Sequence, residues 1–169
     1  LPRLIPESIR VRTRLEGGPL LVRAEPGRLS QVLLNLAINA RDAMPAGGKM
    51  TIAATRQTLA GDEAAGQGLA PGHYVVVSVA DTGVGMSPEV LQRAIEPFYT
   101  TKPMGKGSGL GLSSALGFAR QSGGDLSISS APGEGTTVRL LLPEAAPAAE
   151  EAQPGRARRP VPKGAATVL

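Results

Sequence analysis

The chain has 169 residues and a formal charge of +4, enough for one domain with a hydrophobic core, but two Phe, two Tyr and no Trp offer few rings to stack on nucleic-acid bases. No cysteine is present, which excludes disulfides and thiolate metal sites, and no apolar run approaches the roughly 20 residues that span a bilayer. We therefore expect a cytoplasmic segment that contacts neither nucleic acid nor membrane, whether or not the parent protein is membrane-anchored.

The N-terminal part of the chain predicts two strands followed by a long helix. Apolar and basic residues alternate from Ile9 to Leu15, and Gly17-Gly18 separates this run from Leu20–Ala24, which predicts a β-hairpin. Pro26 suits the first turn of a helix, and apolar residues then recur at helical spacing. This pattern predicts a helix from about Gly27 to Ala43.

The middle of the chain predicts two strands joined by a loop. Met50 to Leu59 alternates again and predicts a strand, whereas the Gly/Ala-rich stretch from Ala60 to Gly72 predicts a mobile loop. Tyr74 to Ala80 is a nearly continuous β-branched run, which is typical of a central strand buried on both faces. This strand would deliver Asp81 to its end.

The C-terminal part of the core predicts two helices and two strands. Ser87-Pro88-Glu89 indicates a short helix over about Pro88 to Arg93. Residues Tyr99 to Ser108 lack periodicity and are expected to form a flexible lid, after which Gly109 opens a helix through Gln121. The last predicted strands are Asp125–Ser130 and Thr136–Leu142.

Four polar residues share one face of the long helix. Their spacings of four, four and three place them in line: Gln31, Asn35, Asn39 and Asp42. The carboxamide oxygen of Asn39 is a suitable ligand for Mg²⁺, which keeps several waters and otherwise bridges substrate phosphates. The alternative is the solvated side of an amphipathic helix, which the glycine-rich loops elsewhere in the chain disfavour.

Asp81 and its glycines have two interpretations. Asp-Thr-Gly is common turn chemistry. A carboxylate at a strand end can also accept a hydrogen bond from an exocyclic amine, which would select adenine over guanine. Gly83 and Gly85 would then let the base lie against the backbone.

The second glycine-rich loop, Gly105 to Leu112, runs into a predicted helix. Free backbone amides at a helix N-terminus bind phosphate, and Lys102 and Lys106 add positive charge. The alternative is a flexible linker before the helix. The loop does not match the P-loop pattern, because no G-K-[ST] follows at the required distance.

Five motifs in this order resemble the N, first glycine, F, second glycine and final glycine boxes of sensor histidine kinases. They are Asn35-Leu-Ala-Ile-Asn39-Ala-Arg-Asp-Ala43, Asp81-Thr-Gly-Val-Gly85, Glu96-Pro-Phe98, Gly107-Ser-Gly-Leu-Gly-Leu112 and Gly133-Glu-Gly-Thr136. The resemblance implies a two-layer α/β sandwich, the Bergerat fold. In that fold a mixed, mostly antiparallel sheet of about five strands packs against about three helices, and ATP lies under a flexible lid.

The resemblance also implies roles for individual residues. Asn39 would ligate Mg²⁺, and Asn35 would support the metal and phosphates; with Lys102 and Lys106 they are the expected catalytic residues. Asp81 would bind the adenine amine, and Phe98 would anchor the base of the lid. The remaining expected nucleotide contacts are Asp42, Gly83, Gly85, Met86, Gly107, Ser108, Gly109, Leu110, Gly111, Leu112 and Thr136.

At positions 35 and 42 this chain differs from some proteins related to it by this resemblance. Related ATPases carry a water-activating glutamate where this chain has Asn35, which cannot act as a general base, so efficient hydrolysis is not expected. Several kinases carry a basic residue where this chain has Asp42, so phosphate contact from that turn is in question and Lys102 or Lys106 would substitute.

The acceptor histidine of a kinase is missing. The only histidine, His73, lacks an acidic neighbour and a helical setting, and we interpret it as a surface or strand-edge residue. Residues 1–143 are therefore expected to be a monomeric catalytic domain that acts on a separate dimerisation and phosphoacceptor domain. Residues 144–164 are expected to be a disordered Ala/Pro linker, and 165–169 resembles the first strand of a receiver domain in a hybrid kinase.

Three other functions stay open at this point. A self-sufficient ATPase of the same fold is the enzymatic alternative, and a non-catalytic nucleotide-binding regulatory module is the alternative of another class. A serine kinase that silences a sigma factor is also compatible with the fold, though the linker and the hybrid-like ending disfavour it.

Overall fold

The computed structural model describes residues 4–146 and the backbone of 165–167. The strands are β1 (Ile9–Leu15), β2 (Leu21–Arg23), β3 (Gly48–Leu59), β4 (Gly72–Asp81), β5 (Asp125–Ala131), β6 (Gly135–Pro143) and β7 (Ala165–Thr167). The helices are α1 (Pro26–Asp42), α2 (Gly61–Gly66), α3 (Pro88–Arg93) and α4 (Gly111–Gln121). Among the described residues, no helix is long and apolar enough to cross a membrane. Most of the predicted linker lies outside the described residues.

The main sheet has five strands in the order β1-β3-β4-β6-β5. β1 runs parallel to β3, and the other neighbours are antiparallel, so the sheet is mixed and mostly antiparallel as predicted. β4 is central and buried on both faces: Val75, Val77 and Val79 join the main core, and Tyr74 and Val76 join a second apolar cluster. A continuous β-branched strand is the expected solution for such a position.

The predicted hairpin between Ile9–Leu15 and Leu20–Ala24 is wrong. β1 pairs with β3, whereas β2 pairs antiparallel with β7 in a separate two-stranded sheet. The alternation within β1 correctly predicted a strand, but its partner is chosen by tertiary packing, since Ile9 is buried against the core that α1 completes. Whether residues 165–169 open a receiver domain stays a prediction.

Two helical predictions are corrected. The stretch predicted as a loop contains α2, because Ala64 is fully buried with Leu59, Tyr74 and Leu141 on the sheet face opposite α1. α4 begins at Gly111 rather than at Gly109, since Gly109 has a φ of +69° and cannot enter a right-handed helix.

α1, α3 and the main core follow the sequence closely. α1 begins with Pro26 in its first turn and buries Leu29, Val32, Leu36 and Ala40. α3 begins after Ser87, whose Oγ accepts a hydrogen bond from the Val90 N–H at 3.3 Å. α1 and α4 pack side by side on one sheet face. The predicted site residues lie along these two helices and the adjoining strand ends.

Candidate functional site

Asp81 ends β4, and two backbone groups hold its carboxylate. The N–H of Gly83 donates to Oδ1 at 2.8 Å, and the N–H of Thr136 donates to the same oxygen at 3.2 Å. Within residues 4–146, Oδ2 accepts no hydrogen bond. Partial burial raises the pKa of Asp81 above its ordinary value, although the two N–H donors oppose that shift. The strand end therefore presents one oriented and partly desolvated acceptor.

Ser130 links the loop that follows Asp81 to the beginning of β6. Its Oγ accepts from the Met86 N–H at 2.8 Å, donates to the Gly135 carbonyl at 3.0 Å and lies 2.8 Å from Thr136 Oγ1. The sequence interpretation selected Met86 and Thr136 but missed Ser130. The available signal was its place at the end of β5, where its register partner is Thr136.

The glycines after Asp81 are required by the packing of the protein itself. A Cβ on Gly83 would lie 2.3 Å from the Ala43 carbonyl oxygen, and a Cβ on Gly85 would lie 1.9 Å from the Ala131 carbonyl oxygen. Gly85 also has a φ of +69°. These contacts fix the loop against α1 and the β5–β6 turn, and the approach of a base to the same backbone stays a prediction.

Asn35 and Asn39 face the first turn of α4. A Cβ on Gly111 would lie 3.4 Å from Asn39 Nδ2 and 3.9 Å from Asn35 Cβ. A side chain at position 111 would therefore enter the space between the two helices. Both asparagines are half-buried. The backbone amides at the beginning of α4 are thus brought beside two carboxamides, which is a suitable environment for an anion with its counter-cation.

Lys102 reaches from the lid segment to α1. Its Nζ donates to Asp42 Oδ2 at 2.6 Å and to Asn39 Oδ1 at 3.3 Å. Arg41 holds the other oxygen of the same carboxylate, with its Nη2 2.7 Å from Asp42 Oδ1. Partial burial alone would raise the pKa of Asp42, but the hydrogen bonds and charges of Lys102 and Arg41 outweigh it and lower that pKa. The structure therefore brings together three of the predicted site residues.

The base of the lid is held through the backbone. The N–H of Phe98 donates to the Gly109 carbonyl at 3.0 Å, and a Cβ on Gly109 would lie 2.4 Å from the Phe98 carbonyl carbon. Phe98 has a φ of +68°, which is uncommon for a residue with a side chain, and the residue is 74% exposed. Any anchoring of the lid by Phe98 in this conformation thus comes from its main chain.

The other lid residues are less closely engaged. Gly107 packs on Lys102, because a Cβ there would lie 2.9 Å from Lys102 Cδ. Ser108 Oγ accepts from the Leu110 N–H at 3.4 Å, and Leu112 packs against the core. The side chain of Lys106 is exposed and forms no ion pair within residues 4–146. The structure thus does not place Lys106 beside Asn39.

A groove of about 230 Å³ continues along α1 beyond Asn35. It lies between α1 and α4, and its lining residues are Arg28, Gln31, Val32, Asn35, Ser114 and Phe118. A second cavity, of about 390 Å³, lies between residues 67–70 and the α4–β5 turn and contains none of the predicted site residues. His73 is exposed at the start of β4, with Nδ1 3.0 Å from Thr58 Oγ1, in agreement with its interpretation as a surface residue.

Residues 24–146 match the family model described as histidine kinase-, DNA gyrase B- and HSP90-like ATPase. The chain is 43% identical over 145 residues to the sensor kinase CckA of Brucella abortus (strain 2308). That alignment covers 85% of this chain and 15% of the relative, so the chain spans only a small part of the length of that protein.

Solved structures of histidine kinases share the fold. The catalytic domain of histidine kinase ThkA matches with a TM-score of 0.64 and 27% identity, over 81% of this chain and 80% of that chain. The full-length ShkA structure in complex with AMPPNP matches with a TM-score of 0.63 and 30% identity, over 83% of this chain and 27% of that chain. The predicted two-layer α/β architecture is therefore confirmed.

Proposed function

Because this chain belongs to the family of histidine kinase-, DNA gyrase B- and HSP90-like ATPases, we propose that it is the ATP-binding catalytic domain of a two-component sensor histidine kinase. It would pass the γ-phosphoryl group of ATP to a histidine on a separate dimerisation domain. The observation that supports the proposal is that Asn35 and Asn39 face the first turn of α4, while the loop that follows Asp81 packs against Ala43 at the C-terminal end of α1.

The adenine side of the site is built around Asp81. Its Oδ1 is occupied by two backbone N–H groups, which leaves Oδ2 to accept the exocyclic amine of adenine. Met86 and Thr136 border this position through their shared contact with Ser130. A guanine carbonyl at the same place would face the carboxylate without a proton to share, so the site favours ATP over GTP.

The phosphate side lies between α1 and α4. The backbone amides at the start of α4 and the ammonium of Lys102 would hold the phosphates, and Lys106 would join them if the lid moves. Asn39, supported by Asn35, is the proposed Mg²⁺ ligand. Its Oδ1 already faces a cation, the Lys102 ammonium at 3.3 Å, which supports the fit. The ion would neutralise charge on the transferred phosphoryl group.

Protein side chains alone would not complete a metal site. Within the described residues there is no group of three or more His, Cys, Asp or Glu side chains that could hold a metal ion. Phosphate oxygens and water would have to complete the coordination shell, which is the usual arrangement for Mg²⁺ bound with a nucleotide. Metal and nucleotide are therefore expected to bind together.

Transfer and hydrolysis are distinguished by the side chain at position 35. A carboxamide cannot take a proton from water, so Asn35 would stabilise the phosphates without activating a water. The groove lined by Gln31 and Ser114 opens beyond Asn35 and is the proposed approach for the acceptor side chain. In-line transfer then depends on positioning by the separate acceptor domain.

The parent protein is proposed to supply the other components. These components are a dimerisation and phosphoacceptor domain and a receiver domain after residue 164. The present segment is expected to lie in the cytoplasm and to be monomeric by itself. The 15% coverage of the CckA relative supports a longer parent. Light scattering coupled to size-exclusion chromatography measures the molar mass and so tests whether the segment is monomeric.

The decisive experiment combines calorimetry with a transfer assay. The purified chain is expected to bind Mg-ATP, to hydrolyse it slowly, and to phosphorylate a supplied acceptor domain from its parent. Steady ATP turnover that vanishes in Asn35→Ala would instead support a self-sufficient ATPase. Tight binding with no transfer to the acceptor domain would support a regulatory module.

A further inference from the structure

The carboxylate of Asp42 is shared by two cations. Lys102 takes Oδ2 at 2.6 Å, and Arg41 takes Oδ1 through Nε at 2.9 Å and Nη2 at 2.7 Å. Arg41 also donates to the Leu4 carbonyl at 3.1 Å, which ties it to the segment before β1. Of the two cations bound to Asp42, Lys102 is the one that also contacts Asn39.

Two contacts within the lid segment help to hold Lys102 in this position. The Lys102 N–H donates to Thr100 Oγ1 at 3.1 Å, and Gly107 packs on the aliphatic part of the Lys102 side chain. The Lys102 and Asp42 side chains are only 29% and 27% exposed. A partly buried pair of this kind is less screened by solvent than a fully exposed one.

This arrangement would affect metal-free ATP and Mg-ATP differently. A triphosphate without a metal carries several negative charges, and at Asn39 it would meet the Asp42 carboxylate together with a lysine already paired to it. Mg-ATP brings its own cation, which can contact Asn39 Oδ1 and balance the charge of Asp42. Lys102 would then be released from α1 toward the phosphates.

We propose that Asp42 is a specificity-determining residue that makes the site select Mg-ATP over metal-free ATP by pairing with Lys102 beside Asn39. The inference rests on the proposed function, since it assumes that Asn39 ligates the metal of a bound nucleotide. It assigns Asp42 a role through charge, in place of the direct nucleotide contact predicted from the sequence.

The test measures ATP affinity by calorimetry with Mg²⁺ and with EDTA. The variants are Asp42→Asn, Lys102→Met and the double variant. Glu63→Gln is the matched control, because it removes the same charge from α2 on the opposite sheet face. Circular dichroism confirms that each variant is folded.

Asp42→Asn is expected to reduce the ratio of metal-free to Mg-ATP dissociation constants by about twofold to fivefold, the range of a partly exposed ion pair. The reduction should come mainly from tighter metal-free binding, and it should shrink in the Lys102→Met background. Glu63→Gln should leave the ratio unchanged. An unchanged ratio in Asp42→Asn, or an equal change in the control, overturns the selectivity.

A second measurement separates this inference from the proposed function. Trypsin cleavage after Lys106, without nucleotide, should be faster in Asp42→Asn and Lys102→Met than in wild type, because the pair holds the lid to α1. Equal rates overturn the pairing. A wild-type chain that binds ATP in neither condition overturns the proposed function and the selectivity together, whereas binding with an unaltered ratio overturns the selectivity alone.

Discussion

The backbone N–H of Thr136 donates a 3.2 Å hydrogen bond to Asp81 Oδ1, across the pair of strands that forms the middle of the sheet. Together with the Gly83 N–H, it orients the carboxylate, and within residues 4–146 Oδ2 accepts no hydrogen bond. A strand-end aspartate thus becomes a directed acceptor because the neighbouring strand supplies a donor.

Replacing Asp81 by asparagine should weaken ATP binding without destabilising the fold. The carboxamide of this variant can still accept the two backbone N–H groups through its carbonyl oxygen, but it then presents an NH₂ group to the adenine amine. ATP affinity should fall by about tenfold or more, since hydrogen bonds to charged groups contribute about 1.5–3 kcal/mol. Calorimetry measures the loss, and an unaltered affinity would contradict the adenine assignment.

The same Asp81→Asn variant should be more stable than wild type at neutral pH. The folded-state pKa of Asp81 is raised, so its favourable contribution is present below the unfolded pKa and is lost as pH rises through the folded value. A carboxamide does not titrate and escapes that loss. Urea denaturation at several pH values should show the advantage at pH 7 and its disappearance below about pH 3.8, the ordinary pKa of an aspartate.

Ser130→Ala should destabilise the domain by about 1–3 kcal/mol, because it leaves the Met86 N–H without its acceptor and the Gly135 carbonyl without its donor. The control is Ser127→Ala, an exposed position on the same strand, which should change little. Urea denaturation compares the two. Equal effects would show that the hydroxyl network contributes nothing specific.

Gly85→Ala should destabilise the fold by about 1–3 kcal/mol, since it combines a φ of +69° with a Cβ that would lie 1.9 Å from the Ala131 carbonyl oxygen. Gly117→Ala is the opposite case, because nothing lies within 4 Å of its Cβ position inside α4. It should stabilise the helix by about 0.5–1 kcal/mol. Thermal unfolding that gives both substitutions the same sign would contradict this packing.

Ala64→Asp should destabilise the domain by about 2 kcal/mol or more, because it places a carboxylate in the cluster formed with Leu59, Tyr74 and Leu141. Ala65→Asp makes the same change at the exposed neighbouring position and should be tolerated. Denaturant midpoints distinguish the two positions. A mobile loop, as predicted from composition, would tolerate both.

Local patterns in the sequence were sufficient for α1, α3 and β4. The apolar pattern of α1 involves only residues about one helical turn apart, namely Leu29, Val32, Leu36 and Ala40. The N-terminal cap of α3, in which Ser87 accepts from the Val90 N–H, is equally local. The motifs also selected Asp81, Asn35 and Asn39 as candidate site residues from residue type and order, and their roles stay predictions. Their contacts with Thr136 and Gly111 were not visible there.

Pairings between distant segments were decided only by the tertiary structure. β1 joins β3 across α1, and α2 forms because Ala64 finds a buried place against Tyr74. Lys102 meets Asp42 sixty residues away along the chain. Alternation and composition describe a segment and its neighbours, whereas the choice of a distant partner depends on which surfaces the folded core leaves to be covered. The sequence by itself thus determined the family and the principal elements, and the folded chain determined which charges and backbone groups meet.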